Sequence, residues 1–242
     1  MITSDDAFVQ HVQGNPVERD RYRALKVTLN ALRPHLAGKR VLDYGASYGL
    51  SACAMLEFGA ASVVGVEPEA TRVTRGREII AALNLADRIS LHHVEDTRHL
   101  DLPDEAFDTV LANAVFEHIP QPRRAHVREV WRVLASGGAL IVNETPNKYL
   151  PWDFHTTNLP LVNWLPKPLA RLVAIRTGRF SADQDWDHSG WRGLGYFELV
   201  RAIPGPYRVT HELTRPRHRL LRALKLPASL LDPYPIYVVT KL

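Results

Sequence analysis

The amino-acid sequence predicts an α/β protein with a doubly wound, mainly parallel seven-stranded sheet and helices on both of its faces. Over residues 40–143, five short apolar segments alternate with helical patterns, and turns containing glycine separate several of them. This alternation is typical of a parallel sheet, because each crossover helix packs back onto one face of the sheet. Two later alternating segments, 207–213 and 234–240, predict an antiparallel hairpin at the sheet edge.

The first regular element is a helix over residues 18–36, predicted because apolar side chains recur there every three or four positions. The apolar stripe consists of Tyr22, Leu25, Leu29, Leu32 and Leu36. Pro34 lies within the stripe and is expected to kink or shorten the helix.

The five alternating strands are predicted over residues 40–43, 62–67, 89–94, 107–112 and 139–143. Helices are predicted over 47–58 and 68–83, and a further helix through Val127, Val130, Trp131 and Leu134 is expected to end at Gly137-Gly138. After Glu144 the alternation stops, apart from a helical piece over 169–175 and another over 193–203.

This organisation predicts a helical N-terminal cover over residues 1–38 and one α/β domain over 39–242. Residues 145–191 interrupt the domain between its fifth and sixth strands. Because ligands bind at the carboxyl ends of parallel strands, we expect this segment to cover the binding site as a lid.

Composition and charge narrow the class of protein. The 30 basic residues are nearly balanced by 26 acidic ones, which makes nucleic acid an unfavoured partner. The densest basic segment, 215–225, is interpreted as a solvated helix face, although it could bind phosphate. Cys53 is the single cysteine, and residues 1–13 lack a signal-peptide pattern, so we predict a cytoplasmic protein.

A candidate nucleotide site follows the first predicted strand, in residues 43–49. Gly45 and Gly49 allow a tight turn into a helix whose N-terminal N–H groups are available to a ligand. Glu67 ends the second predicted strand, where a carboxylate can accept both hydroxyls of a ribose. The spacing does not fit the three-glycine dinucleotide pattern, and Asp43 would repel a pyrophosphate. A ligand with an ammonium group is therefore favoured over NAD.

The ordered set of motifs resembles class I S-adenosylmethionine-dependent methyltransferases. Residues 41–49 resemble their first motif and 64–68 their second. Residues 107–113 with 116–119 resemble the fourth, and 134–140 resemble the approach to the fifth strand. The resemblance covers about residues 35–147 and implies the class I methyltransferase fold with S-adenosylmethionine as the cofactor.

The resemblance also implies a role for each matched position in the first turn. Asp43 would bind the methionine ammonium, directly or through water, and Gly45 and Gly49 would frame the methionine part. Ser47 stands where many members of the family have glycine, and we expect the turn to survive this change because serine is small.

The remaining cofactor contacts are assigned by the same resemblance. Glu67 would hold the ribose, and Pro68 would pack near the adenine. Asp96 would accept the adenine amino group, with the N–H of Thr97 beside it. Asn113 would lie near the methionine carboxylate or the sulfonium.

Three histidines are candidates for the general base that would activate a hydroxyl acceptor: His155 first, then His118 and His188. A structural role is the alternative for each of them. Some quinone-related O-methyltransferases have a Glu-x-x-Glu-His metal cluster, but here Ala114 occupies the first glutamate position. No metal site is therefore predicted, and Glu117 is interpreted as structural.

The predicted function is O-methylation of a small or lipid-linked metabolite. Aromatic residues of the lid could line an apolar acceptor pocket, and residues 159–179 could touch a membrane surface, although packing of the lid onto the sheet explains the same pattern. Two alternatives stay open: an RNA or protein methyltransferase, and a non-catalytic protein that binds S-adenosylmethionine.

Overall fold

The computed structural model describes residues 16–210, 223–224 and 228–242. Seven strands form one sheet: β1 (Arg40–Tyr44), β2 (Ser62–Glu67), β3 (Ile89–His93), β4 (Phe107–Asn113), β5 (Leu134–Asn143), β6 (Tyr207–Thr210) and β7 (Tyr237–Lys241). Within the described residues, six α-helices accompany them: α1 (Pro16–Ala31), α2 (Leu50–Glu57), α3 (Ala70–Ala82), α4 (Arg124–Val133), α5 (Lys167–Arg176) and α6 (Tyr196–Ala202).

The sheet has the strand order β3-β2-β1-β4-β5-β7-β6. Strands β1 to β5 pair in parallel, whereas β7 is antiparallel to both β5 and β6. This confirms the predicted sheet and its antiparallel edge. The strand order reverses between β1 and β4, and in doubly wound folds ligands bind beside such a reversal, at the carboxyl ends of the strands.

Alternating side chains of the strands enter two separate cores. Val41 packs with α1, α2 and α3 on one face of the sheet, while Leu42 and Tyr44 pack with α4 and α6 on the other. The whole predicted stripe of the N-terminal helix is buried in the first of these cores: Tyr22, Leu25, Leu29, Leu32 and Leu36. Pro34 lies in a short 3-10 helix, Arg33–His35, so α1 ends before it, as expected.

The predicted end of the helix before the fifth strand is wrong. The helix α4 stops at Val133, and β5 begins at Leu134, ahead of the two glycines. The reason is strand pairing: Leu134 pairs with Phe107, and the register then shifts before Ala139 pairs with Thr109. Gly138 lies inside this irregular strand, where a Cβ atom would come within 2.8 Å of the Asp108 carbonyl oxygen.

The predicted lid, residues 145–191, contains α5 and a 3-10 helix, Val162–Trp164. It has a small apolar core of its own, in which Val162, Ala170, Ala174 and Trp186 are buried. The division of the chain into cover, domain and lid stays a prediction. The basic residues of segment 215–225 and the end of the predicted strand 207–213 lie outside the described residues.

Candidate active site

A cavity of about 1200 Å³ opens at the carboxyl ends of the central strands. Its walls come from the turn after β1, from the residues that follow β2, β4 and β5, and from the lid. Arg21 and Leu25 of α1 also line it. The cavity therefore lies beside the reversal of strand order, as expected for a ligand site of this fold.

The turn after β1 is held against the end of β2. The N–H groups of Gly45 and Ala46 both donate to the Val66 carbonyl oxygen, at 2.9 and 3.0 Å. Gly45 has a φ of +81°, and a Cβ atom there would come within 2.6 Å of Val115. Ser47 has a φ of +49°, in the left-handed region that favours glycine, so the turn does form with serine at this position.

Glu67 is buried at the end of β2 and is already oriented by the backbone. Its Oε2 accepts the N–H of Ser47 at 2.9 Å, and its Oε1 accepts the N–H of Glu69 at 3.2 Å. The two bonds fix the carboxylate at the cavity wall next to the first turn. This position suits the predicted contact with a pair of ribose hydroxyls.

Asp43 is buried behind the cavity wall rather than in it. Its Oδ2 accepts a hydrogen bond from the Ser51 hydroxyl at 2.6 Å, and Ser51 does line the cavity. Burial raises the pKa of Asp43 to about 7, and the hydrogen bond from Ser51 opposes this shift. Ser51 thus lies between the Asp43 carboxylate and the cavity. In its predicted role, the ionised carboxylate would attract the ammonium group of the ligand electrostatically, across Ser51.

The residues assigned to the adenine are only partly brought together. Pro68 and Thr97 line the cavity. Asp96 does not line it, and its carboxylate accepts two hydrogen bonds from the Arg98 guanidinium, at 2.8 and 2.9 Å. Asn113 lines the cavity after β4. These assignments remain predictions, and the one for Asp96 requires its carboxylate to be shared with, or released from, Arg98.

The charges that line the cavity favour a cation. Its carboxyl groups are those of Glu67, Glu69, Glu117 and Glu144, and burial raises the pKa of the last two. Its guanidinium groups are Arg21 and Arg72. S-adenosylmethionine has a sulfonium and an ammonium group, both of which such a lining attracts. The lining thus fits this cofactor better than a pyrophosphate, which carries negative charge.

All three candidate histidines line the cavity, but they differ in what they contact. The rings of His118 and His155 meet edge to face, with their centroids 5.4 Å apart. His188 turns its imidazole to Asp185, with Nδ1 and Oδ2 2.7 Å apart, while its carbonyl oxygen is 2.8 Å from Nδ1 of His118. Burial and the neighbouring His118 lower the pKa of His155.

Glu117 is the buried middle residue of a 3-10 turn, Phe116–His118, that follows β4. Its Oε2 accepts a hydrogen bond from the Thr145 hydroxyl at 2.8 Å. Burial raises the pKa of Glu117 to about 7. The sequence predicts a structural role for Glu117, and the structure places it in the cavity wall beside His118.

Several other residues of the cavity were not predicted from the sequence, among them Ser51, Glu144 and Tyr234. Glu144 directly follows β5 and accepts a hydrogen bond from the Asn113 side chain at 3.3 Å. The position of Glu144 was a usable signal, since the carboxyl end of a parallel strand faces the ligand. No comparable signal marked Tyr234, which comes from the segment before the edge strand β7.

Residues 42–142 match the family model described as a methyltransferase domain. The chain is 35% identical over 105 residues to a phosphatidylethanolamine N-methyltransferase of Cereibacter sphaeroides, a match that covers 43% of this chain and 50% of that protein. It is 33% identical over 119 residues to a ubiquinone biosynthesis O-methyltransferase of Neisseria meningitidis, covering 48% and 49%. The chain thus spans about half the length of the curated relatives it matches.

The similarity to solved structures covers most of the chain, whereas those two sequence matches each cover less than half of it. An S-adenosylmethionine-dependent methyltransferase of Mesorhizobium loti has a TM-score of 0.53 at 18% identity, covering 88% of this chain and 94% of that one. Together with the sheet order, this confirms the class I methyltransferase fold. None of the helices described is long and apolar enough to span a membrane.

Proposed function

We propose that the chain is an S-adenosylmethionine-dependent methyltransferase that methylates an oxygen atom of a small or lipid-linked metabolite. Residues 42–142, which match the model of a methyltransferase domain, support this proposal. The observation that carries this proposal is the acidic cavity at the switch point of the sheet, bounded by the cofactor turn on one side and by lid histidines on the other. A methyl donor and an acceptor could meet within it.

The bound cofactor would supply an activated methyl group, and the protein would align it with the acceptor. Glu67 and the turn 43–49 would fix the nucleoside and methionine ends of the cofactor, leaving the methyl group directed at the space under the lid. A hydroxyl acceptor must also lose its proton, and His155 is the first candidate to take it. His188 is less suited because its imidazole is paired with Asp185.

Exposed apolar side chains of the lid support an apolar or membrane-bound acceptor. Six large ones are between 41% and 59% exposed: Trp152, Phe154, Leu161, Trp164, Leu169 and Leu172. Residues 167–179 add four cations and no carboxylate. Apolar groups beside cations are typical of a surface that contacts anionic lipid, so we propose that the lid touches the membrane from which the acceptor is taken.

Cofactor binding and transfer can be tested separately. Adenosylhomocysteine should bind to the purified protein in calorimetry, and NAD should not. Glu67→Gln should weaken that binding by about tenfold or more, because a hydrogen bond to a charged group is worth about 1.5–3 kcal/mol. His155→Ala should change it by less than about threefold. Transfer of labelled methyl groups from S-adenosylmethionine to a lipid extract should require His155.

Two results would count against this division of roles. Equal losses of adenosylhomocysteine binding in both variants would contradict the separate cofactor and acceptor sides of the cavity. Tight binding without methyl transfer to any extract would instead favour a non-catalytic protein that binds the cofactor.

A further inference from the structure

We propose that Glu117, His118 and His155 form a binding site for a divalent transition-metal ion at the lid side of the cavity. One donor atom from each of the three residues lies within 4.8 Å of the other two. The first two residues follow β4, and the third comes from the lid, so the site joins the sheet to the lid.

Glu117 provides a buried oxygen atom that lacks a partner. Its side chain is 0% exposed, and Oε2 is bonded to Thr145. Oε1 has no hydrogen-bond partner among the residues that the structure describes. A buried carboxylate oxygen without a partner is costly, and a bound cation would remove that cost. Nε2 of His118 lies 4.0 Å from Oε1, which is too far for a hydrogen bond.

His118 is oriented as a metal ligand. Its Nδ1 lies 2.8 Å from the carbonyl oxygen of His188, and a carbonyl oxygen can only accept, so Nδ1 carries the hydrogen. In the neutral imidazole, Nε2 then has the free lone pair and faces Glu117. Ligating histidines commonly donate their second ring nitrogen to a backbone carbonyl in this way.

The backbone at His155 is held in place by the side chain of Asp153. The buried Asp153 carboxylate accepts the N–H groups of His155 and Thr156, both at 3.2 Å, and that of Thr157 at 2.8 Å. Gly190, with a φ of +88°, lies against the ring: a Cβ atom there would come within 2.4 Å of Nδ1 of His155. The same atom would be 3.4 Å from His118, so Gly190 leaves room for both rings.

The donor set selects the type of ion. Two imidazoles and one carboxylate suit Zn²⁺ and similar ions, whereas Mg²⁺ prefers oxygen ligands. Zinc bonds of about 2.0–2.1 Å place tetrahedral ligands roughly 3.3 Å apart, so the donors must close on the ion. Both histidine side chains are partly exposed to solvent, and movement of the lid towards the sheet would bring the three donor atoms closer together.

Three protein ligands leave a fourth position open for an acceptor oxygen, which an ion would make easier to deprotonate. That role rests on the proposed methyl transfer, whereas ion binding does not. Ion binding would also change the proposed role of His155, because its nitrogen lone pair would bind the ion and could not accept the proton of the acceptor.

The proposal can be tested with the full chain after treatment with a chelator. Zn²⁺ should bind one to one in calorimetry and raise the melting temperature, while Mg²⁺ should do neither. Co²⁺ should give the visible absorption of a four- or five-coordinate site. Glu117→Gln, His118→Ala and His155→Ala should each weaken Zn²⁺ binding by at least about tenfold.

His188→Ala is the matched control, because it keeps the carbonyl group that orients His118 and removes an imidazole bonded to Asp185. It should bind Zn²⁺ like the unmodified protein. Adenosylhomocysteine binding by each variant reports folding and the cofactor site independently of the ion. Absence of Zn²⁺ binding by a protein that still binds adenosylhomocysteine would overturn the metal site alone, and so would an equal loss in His188→Ala.

Discussion

Ser47 holds a left-handed backbone conformation in the turn that follows β1. Such a conformation costs an L-residue about 1–2 kcal/mol, a cost that glycine avoids. We therefore expect Ser47→Gly to be more stable than Ser47→Ala by about 1 kcal/mol, since alanine keeps the Cβ atom and removes only the hydroxyl. Urea denaturation of the two variants measures the difference. A more stable alanine variant would show that the turn relaxes without a glycine.

Asp43 should make cofactor binding depend on pH. With a pKa of about 7, raised from 3.8 by burial, about half of the unliganded protein has a protonated Asp43 at neutral pH. A ligand ammonium favours the ionised carboxylate, so affinity for adenosylhomocysteine should rise about tenfold between about pH 6 and 8. The raised pKa also means that Asp43 opposes folding increasingly as pH rises from about 4 through 7.

Asp43→Asn is the control for this pH dependence, because the amide keeps the shape of the side chain and does not titrate. Calorimetry at several pH values should give a nearly constant affinity for this variant. The same tenfold rise in Asp43→Asn would assign the pH dependence to another group.

At the scale of elements, α5 presents one apolar and cationic face to solvent. Leu169, Leu172 and Arg176 follow one another at helical spacing and are exposed, whereas Ala170 and Ala174 are buried in the lid core. If this face meets a membrane, Leu169→Glu and Leu172→Glu should each weaken binding to vesicles of mixed phosphatidylcholine and phosphatidylglycerol by about tenfold. Cosedimentation measures the bound fraction.

Val27→Glu is the matched control, because Val27 is a similarly exposed apolar residue of a helix outside the lid. It should leave vesicle binding unchanged. Equal losses of vesicle binding in all three variants would assign the effect to the net charge of the protein rather than to the exposed face of α5. If the unmodified protein did not bind vesicles, the proposed membrane contact would be wrong.

The elements that repeat regularly could be predicted from sequence, and those that depend on tertiary pairing could not. The strand β2 was predicted at its observed bounds because it is apolar and flanked by turns. The start of β5 was missed because its first pair, Leu134 with Phe107, lies across the sheet and leaves no local pattern. Likewise, the place of Glu67 in the site could be predicted from its position at the end of a strand. The contact between His155 and His118 could not, because the two residues are far apart in sequence and meet only in the folded chain.

At the scale of the molecule, α1 shares its core with the sheet. Leu29 is fully buried among residues of α1, α2 and the strands, and Leu25 next to it lines the cavity. Leu29→Ala should therefore lower the free energy of unfolding by about 2–5 kcal/mol, as expected for a buried leucine. Val27→Ala, on the exposed face of the same helix, should change it by less than about 0.5 kcal/mol.

This pair of variants also tests whether residues 1–38 form a separable cover. Because the helix and the sheet share one core, circular dichroism and loss of adenosylhomocysteine binding should report a single transition in Leu29→Ala. A separable cover would instead detach first, at a lower denaturant concentration than the one that unfolds the sheet. The cavity would then lose its α1 wall while most of the helical circular dichroism signal remained. Binding would then be lost before unfolding, and the boundary at residue 38 would mark a true structural unit.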